Sequence, residues 1–450
     1  MGIMESGPGG EPSDAIARIA RPIHGEADLD QLLDLVGTAR IVMIGEASHG
    51  THEFYDLRAA LTRKLISQRG FAAVAIEGDW PDVMRVDRYV RGHGDDESAP
   101  DALGAFERFP SWMWRNTDVA MFAEWLRRWG TQRSPERRAG FYGLDLYSLH
   151  ASIRAVLSFL DEADPAAAEL ARERYACFDH VGGDPEEYGM RAQLGLADSC
   201  EDEVVAQLVE MQRRHAARSG RTPSGDGWFH AMQNAHVIKD AEAYYRAMFG
   251  GRGASWNLRD THMADTLDML GAHLGEAGRP ARLVVWAHNS HVGDARATAL
   301  GDAGELTLGQ LMRQRHAGEV ALIGMTTHAG TVRCAPAWGA PGVLEVVRPS
   351  LDGSWEQQFH DAGPPRFYVT SAAIKRVIGE RVEHLHRAIG VVYRPDTERQ
   401  SHYYAARLAD QYDLVIHVDT THAVKPLDGA ATVPPAAGEP ELPETFPTGV

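Results

Sequence analysis

The chain has 450 residues, 44% of them hydrophobic and 24% charged, a globular composition that excludes a fibrous or wholly disordered protein. A formal charge of −18 repels phosphate backbones and anionic lipid, so neither nucleic acid nor a membrane surface is an expected partner. Three cysteines, Cys177, Cys200 and Cys334, are too scattered for a disulfide framework or a C-x-x-C metal site, and they fit a reduced, cytoplasmic protein.

Residues 1 to 13 (MGIMESGPGGEPS) are rich in Gly, Pro and acids and are expected to be disordered, as is the tail 428 to 450. One folded domain is expected over 14 to 427. The first apolar run, IVMIG (41 to 45), reads as a buried strand. It opens onto GEASHGTHEFYDLR, where Phe54, Leu57, Leu61 and Leu65 recur at helical spacing. A second run, AAVAIEG (72 to 78), follows. Strand, helix and strand in that order point to a parallel sheet.

From about 100 to 275 the pattern changes to long helical stretches such as TDVAMFAEWLRRW and HAMQNAHVIKDAEAYYRAMF, expected to be a helical insertion capping the cleft. The strand pattern then returns in RLVVWAH (282 to 288), VALIGMTT (320 to 327) and DLVIHVD (413 to 419). IVMIGEASH and LVVWAHNSH match position by position and both end on histidine, at His49 and His291. AAVAIEG and VALIGMT are the next strands after each. The expected fold is therefore α/β, a mainly parallel central sheet built from two similar βα units with a helical cap.

If the strand ends converge, they bring together Glu46, His49, Glu77, His288 and His291. Histidine titrates near neutrality, and a neighbouring carboxylate fixes its tautomer and raises its basicity, as a general base for water requires. Glu77 closes an apolar strand, where an unpaired carboxylate is expensive to bury, so it needs a partner. Arg58 falls within the apolar stripe of the first helix and must reach a carboxylate such as Glu77 or a ligand oxygen. Arg259, in WNLRDTHMADTL just before a helix expected to start near Asp260, is a similar case. Asn289 is a candidate oxyanion donor.

No G-x-S-x-G occurs, so the serine elbow of ordinary α/β hydrolases has no candidate. H-x-x-H occurs at His49/His52 and at His288/His291, which with Glu77 keeps a metal- or haem-binding alternative open. Taken singly, His52 and His262 read as structural histidines. FPSWMWRN (109 to 116) reads as cap core or pocket wall, and Tyr393 to His402 as a polar loop with some capacity for ligand binding.

Nine ordered blocks carry a resemblance across about 20 to 427: IGEASHGTHEFYDLR, AIEGDWPD, WMWRN, FYGLDLYSL, WNLRDTHMADTL, VVWAHNSHVGDARAT, LGQL, AIGVVYRPDTERQSHYY and HVDTTHAVKPL. Together they resemble the erythromycin esterase family. The resemblance implies a hydrolase that opens an ester or macrolide lactone without metal or other cofactor. The histidine of its G-E-x-x-H motif, His49 here, is then the general base, joined by Glu46, Glu77, Arg58, His288 and His291. The GEASHGTHEFY and WAHNSHVGDARAT blocks are more similar to the broad, uncharacterised branch of that family than to its antibiotic-resistance enzymes. Hydrolysis of a small-molecule ester or lactone is the expected activity, with acyl transfer or lactone formation by the same residues as a further alternative.

Overall fold

The computed structural model describes residues 12–427 except 182–184, 219–224, 250–251 and 277. The tail 428–450 lies outside the described residues, as do the first 11 positions; Pro12 and Ser13, expected to be disordered, instead open a helix, Pro12–Ile19, on which Ser13 is buried. In chain order the strands are β1 (Arg21–Pro22), β2 (Ile41–Ile44), β3 (Ala73–Asp79), β4 (Gly140–Asp145), β5 (Leu283–Trp286), β6 (Val320–Thr326), β7 (Ala329–Cys334), β8 (Val343–Val347), β9 (Arg366–Thr370), β10 (His384–Arg387), β11 (Tyr403–Ala406), β12 (Leu414–Val418) and β13 (Thr420–Thr421).

The fold is α/β with a mostly parallel central sheet. Eight strands form it in the order β1-β9-β12-β6-β2-β5-β3-β4. Neighbours from β12 to β4 run parallel, while β9 and β1 close the other edge antiparallel. The five apolar runs are β2, β3, β5, β6 and β12, which occupy adjacent positions at the centre. Apolar runs are what strands covered on both faces require. Val42 and Ile44 of β2 pack on one side with Leu57, Leu61 and Leu65 of the helix His52–Arg69. Ile41 and Met43 pack on the other with Met263 and Leu267 of the helix Arg252–His273.

β2 and β5 lie side by side, Ile41 opposite Leu283 and Ile44 opposite Trp286. β3 flanks β5 and β6 flanks β2. Each βα unit therefore places its second strand beyond the first strand of the other. The chain leaves β2 and β5 in opposite directions across the sheet, so a crevice opens beyond their carboxyl ends, the usual ligand position in open α/β sheets.

The stretch expected to be a helical cap is mainly helical but contributes β4 to the sheet edge. β4 approaches β3 so closely that a Cβ on Gly143 would stand 2.5 Å from the Gly78 carbonyl oxygen. Beyond β4, the helices Leu149–Ala163, Pro165–Tyr175, Glu201–Arg218 and Gly225–Ala247 enclose a core of their own around Val156, Leu160, Ala168 and Ile238. In this cap Cys177 and Cys200 form a disulfide with Cα atoms 5.8 Å apart, which corrects the expectation that all three cysteines are unpaired; Cys334 is free and buried. The chain between them folds back on itself, a proximity that spacing does not reveal.

The segment Phe109–Trp114 stands over the end of β3. Trp114 Nε1 donates to the Glu77 carbonyl oxygen at 3.0 Å, and Tyr55 Oη donates to the Met113 carbonyl at 2.8 Å. The last described residues lace onto the chain just after it: Thr117 N donates to Lys425 O and Leu427 N to Arg115 O, both at 3.0 Å. No helix of the described residues is long and apolar enough to cross a membrane.

Candidate active site

β2, β5 and β3 reach the same level of the sheet, with Ile44, Trp286 and Ile76 in register. The residues that follow, Glu46, His288 and Glu77, therefore emerge together. His49 is 2% exposed, and its Nδ1 lies 3.0 Å from Oε1 of the fully buried Glu46. With Nδ1–H donating to that carboxylate, the ring is fixed in the tautomer whose lone pair sits on Nε2. Glu46 Oε2 is 2.8 Å from Arg58 Nη2. The Arg58 guanidinium lies 4.3 Å from the Tyr55 ring centroid, 5.2 Å from Trp286 and 5.9 Å from Trp114, so aromatic faces surround it. The carboxylate partner of Arg58 is thus Glu46, not Glu77.

Glu77 is held from three sides. Its Oε2 accepts the backbone N–H of His288 at 2.8 Å, its Oε1 accepts Arg259 Nη2 at 2.9 Å, and His291 Nε2 lies 3.3 Å from Oε1. Arg259 also forks onto Asp145 at the end of β4, with Nε and Nη2 donating at 2.9 and 2.7 Å. His291 Nδ1 meets Asp260 at 2.9 and 3.0 Å, and Asp260 also accepts Leu308 N. Trp256 stacks on the His291 ring at 4.5 Å. Arg259 and Asp260 sit within the helix Arg252–His273, which begins earlier than the expected start near Asp260.

Burial alone disfavours the His291 imidazolium, but Asp260 and Glu77 outweigh it and raise its pKa to about 10. Burial pushes the Asp260 carboxyl up in turn. Of this coupled pair the charged imidazolium is the state we stand behind, because a second carboxylate faces its other nitrogen. As a cation, His291 donates from Nε2 to Glu77; as a neutral ring it would accept Arg259 Nη1, 3.1 Å away. Burial also opposes a charged Glu77, yet His291, His49 and Arg259 hold it well below the usual carboxylate range. His288 goes the other way: burial and the neighbouring His49 and His291 keep it well below the ordinary imidazole value, hence neutral. Its ring lies 4.7 Å from that of His49, and its Nε2 is buried without a hydrogen-bond partner.

Glu46, His49, Glu77, His288, His291 and Arg259 therefore form one connected cluster. Arg58 and Asn289, expected to meet substrate, are fully buried behind it. The Asn289 amide donates to the Met325 carbonyl at 2.7 Å, and its oxygen accepts Met325 N at 3.3 Å, so the side chain ties His288–His291 to β6. His52 turns away to Asp118 at 2.8 Å, which splits the first H-x-x-H pair. His262 pairs with Asp240 at 2.7 Å, a structural contact. Among the described residues, no three His, Cys, Asp or Glu side chains are placed to hold a metal ion. Tyr393 and His402 line no part of the cleft next to the cluster; Tyr393 Oη donates to Glu398 Oε1.

That cleft encloses about 570 Å³, part of it open to solvent, with Glu77, Asp145 and Arg259 in its lining. Its walls include Phe106, Phe109, Met113 and Trp114, while Trp112, Met113 and Trp114 also pack in the hydrophobic core, so the FPSWMWRN segment is both pocket wall and core. Asp145 and Asp260 were not singled out from the sequence. Asp145 closes GFYGLD as Glu77 closes AAVAIEG, and a carboxylate at the end of a buried strand needs a partner in either place.

The family model for erythromycin esterase matches residues 66–421. Erythromycin esterase type II of Escherichia coli is 22% identical over 332 residues, covering 70% of this chain and 75% of that protein. YbfO of Bacillus subtilis, provisionally named a hydrolase, is 21% identical over 432 residues, 90% of each chain. Among solved structures, a Bacillus cereus protein superposes with a TM-score of 0.75 at 16% identity, covering 92% of this chain and 98% of that one. An erythromycin esterase mutant in its open conformation superposes with a TM-score of 0.63 at 18% identity, covering 88% and 94%. At such identities the superpositions show a shared fold.

Proposed function

Because the chain belongs to the erythromycin esterase family, we propose that it is a hydrolase of a carboxylic ester or lactone in which His49 activates water. Erythromycin-type lactones are the first substrates to assay, since they are what the names of two relatives specify. The observation that carries this reading is the Arg58–Glu46–His49 chain beside Glu77, His288 and His291, with no serine elbow in the sequence. Glu46 orients the His49 ring and stabilises the imidazolium that forms.

His49 Nε2 takes a proton from water, and the resulting hydroxide oxygen bonds to the carbonyl carbon as the π pair moves to the carbonyl oxygen. Collapse of the tetrahedral species breaks the acyl C–O bond. The leaving alkoxide recovers the proton from His49, directly or through His288. His291 is an unsuitable donor because two carboxylates hold its proton. The His291 and Arg259 cations supply positive potential for the developing oxyanion. His49 is 2% exposed, and Glu77 of the same cluster is the member that lines the cleft, facing the Phe109–Trp114 wall.

Mass spectrometry of a lactone and ester panel, with His49→Ala as control, tests the reading. The expected loss is at least the roughly 10² to 10⁴ in rate that a general base contributes, with circular dichroism unchanged. Equal turnover by the variant would refute the role of His49.

A further inference from the structure

His288 differs from the other two histidines of the cluster in what its ring can do, and the cause lies two positions further on. His49 and His291 each turn Nδ1 to a carboxylate, Glu46 and Asp260 respectively. His288 turns Nδ1 to Ser290 instead: the backbone N–H of Ser290 donates to it at 3.3 Å, and Ser290 Oγ stands 2.8 Å away. A backbone N–H has no lone pair to offer, so Nδ1 must be the acceptor, and a hydroxyl beside an acceptor donates. Both donors fall on one nitrogen. The Ala47 backbone also favours a proton on this ring without forming a hydrogen bond to Nε2. With Nδ1 taken, the ring proton is on Nε2, the nitrogen buried without a hydrogen-bond partner.

Burial and the neighbouring imidazoles keep this ring neutral, which limits it as a carrier of protons. Giving one from Nε2 would leave an imidazolate, and taking one would put it on Nδ1 between two donors. A neutral N–H can instead donate a hydrogen bond. The ring centroid lies 4.7 Å from that of His49, whose lone pair sits on Nε2, so a base and an N–H donor stand side by side. Glu77 Oε2 accepts the main-chain N–H of His288 at 2.8 Å, which leaves the ring's tautomer to Ser290. We propose that Ser290 is a positioning residue: its hydroxyl and main-chain N–H fix His288 as an Nε2–H donor to the substrate's carbonyl oxygen, an oxyanion donor and not a proton shuttle. The role rests on the hydrolase reading; the tautomer does not. In the step itself His49 Nε2 takes the proton from water. The oxygen that gains the π pair accepts a hydrogen bond from His288 with no proton moved, and the departing alkoxide takes its proton straight back from His49.

Neutron diffraction from crystals of the deuterated full-length protein reads the tautomer with no substrate and no variant. Deuterium on His288 Nε2 and none on Nδ1 is expected; deuterium on Nδ1 overturns the proposal. With the ester found by the panel, Ser290→Ala should lower kcat about tenfold at unchanged KM, less than the roughly 10² to 10³ of a lost oxyanion donor because the backbone N–H remains. Ser290→Thr, which keeps the hydroxyl, should restore the rate. His288→Gln, whose amide can donate from the place of Nε2, should turn over at least about tenfold faster than His288→Asn, whose amide sits at the place of Nδ1. Native kcat in folded Ser290→Ala, or the reverse order of the two His288 variants, would overturn the oxyanion role. A panel with no turnover sinks the hydrolase reading alone, since the deuterium position still decides the tautomer.

Discussion

Replacing Glu46 with Gln separates two roles of one carboxylate. Glu46 is the counter-ion of Arg58, and both are fully buried. Stranding the charge of one member of a buried pair costs about 3 to 5 kcal/mol. The aromatic faces at 4.3, 5.2 and 5.9 Å from the guanidinium offset about 1 to 2 kcal/mol of that. The net expectation for Glu46→Gln is a loss of about 1 to 4 kcal/mol in urea unfolding. Adding Arg58→Met removes the stranded charge, and apolar replacements for a buried pair are often neutral, so the double variant should return to within about 1 kcal/mol of the native protein. Activity should not return with it. Gln still accepts from His49 Nδ1 but cannot stabilise the imidazolium, so turnover should stay roughly 10²-fold or more below native in both variants. Unfolding curves and turnover of the ester found by the panel check both halves. Strictly additive destabilisation would refute the pairing, and a rate restored along with stability would refute the catalytic role.

Three further outcomes follow from the geometry. His291 has a folded pKa of about 10, above its unfolded value, so its contribution to stability is complete below about pH 6.5 and is lost as pH rises through 10; the unfolding gap between native protein and His291→Gln should narrow from pH 6.5 to 9.5, and a constant gap would refute the imidazolium. Reduction of Cys177–Cys200, or Cys200→Ser, should destabilise the cap by about 3 kcal/mol given the 23-residue separation; an unchanged melting temperature on adding reductant would show that no such bond forms. In Gly45→Ala a Cβ would stand 2.1 Å from Asn289 Oδ1, which Met325 locks in place, so the variant should lose about 2 kcal/mol and most activity by shifting His288–His291; native stability and rate would contradict that packing.

The centre of the sheet was legible because parallel strands covered on both faces must be apolar throughout. The match between residues 41–49 and 283–291 also anticipated the register, since Ile41 does face Leu283. β4 escaped notice because its glycines, needed where it crowds β3, break up the apolar run, and because it lies among helices. Site residues at strand ends could be read from chemistry, as Glu77 was. Those supplied by the helix Arg252–His273 could not be assigned partners: whether Arg259 meets Asp145 and Asp260 meets His291 is decided by where that helix lies across the sheet. Arg58 was recognised as needing an anion, but Glu46 and Glu77 emerge from strands separated only by β5, and nothing local distinguishes them.

The lacing of Lys425 and Leu427 onto Arg115 and Thr117 has a consequence for biosynthesis. A ribosome delivers His49 early, whereas the stitches on Arg115 and Thr117, just past the Phe109–Trp114 wall, are made by amino acids translated near the end of the folded region. A nascent chain therefore holds that wall by Tyr55 and Glu77 alone until translation is nearly complete, and truncation just after β12 would leave the central sheet whole with Arg115 and Thr117 unlaced.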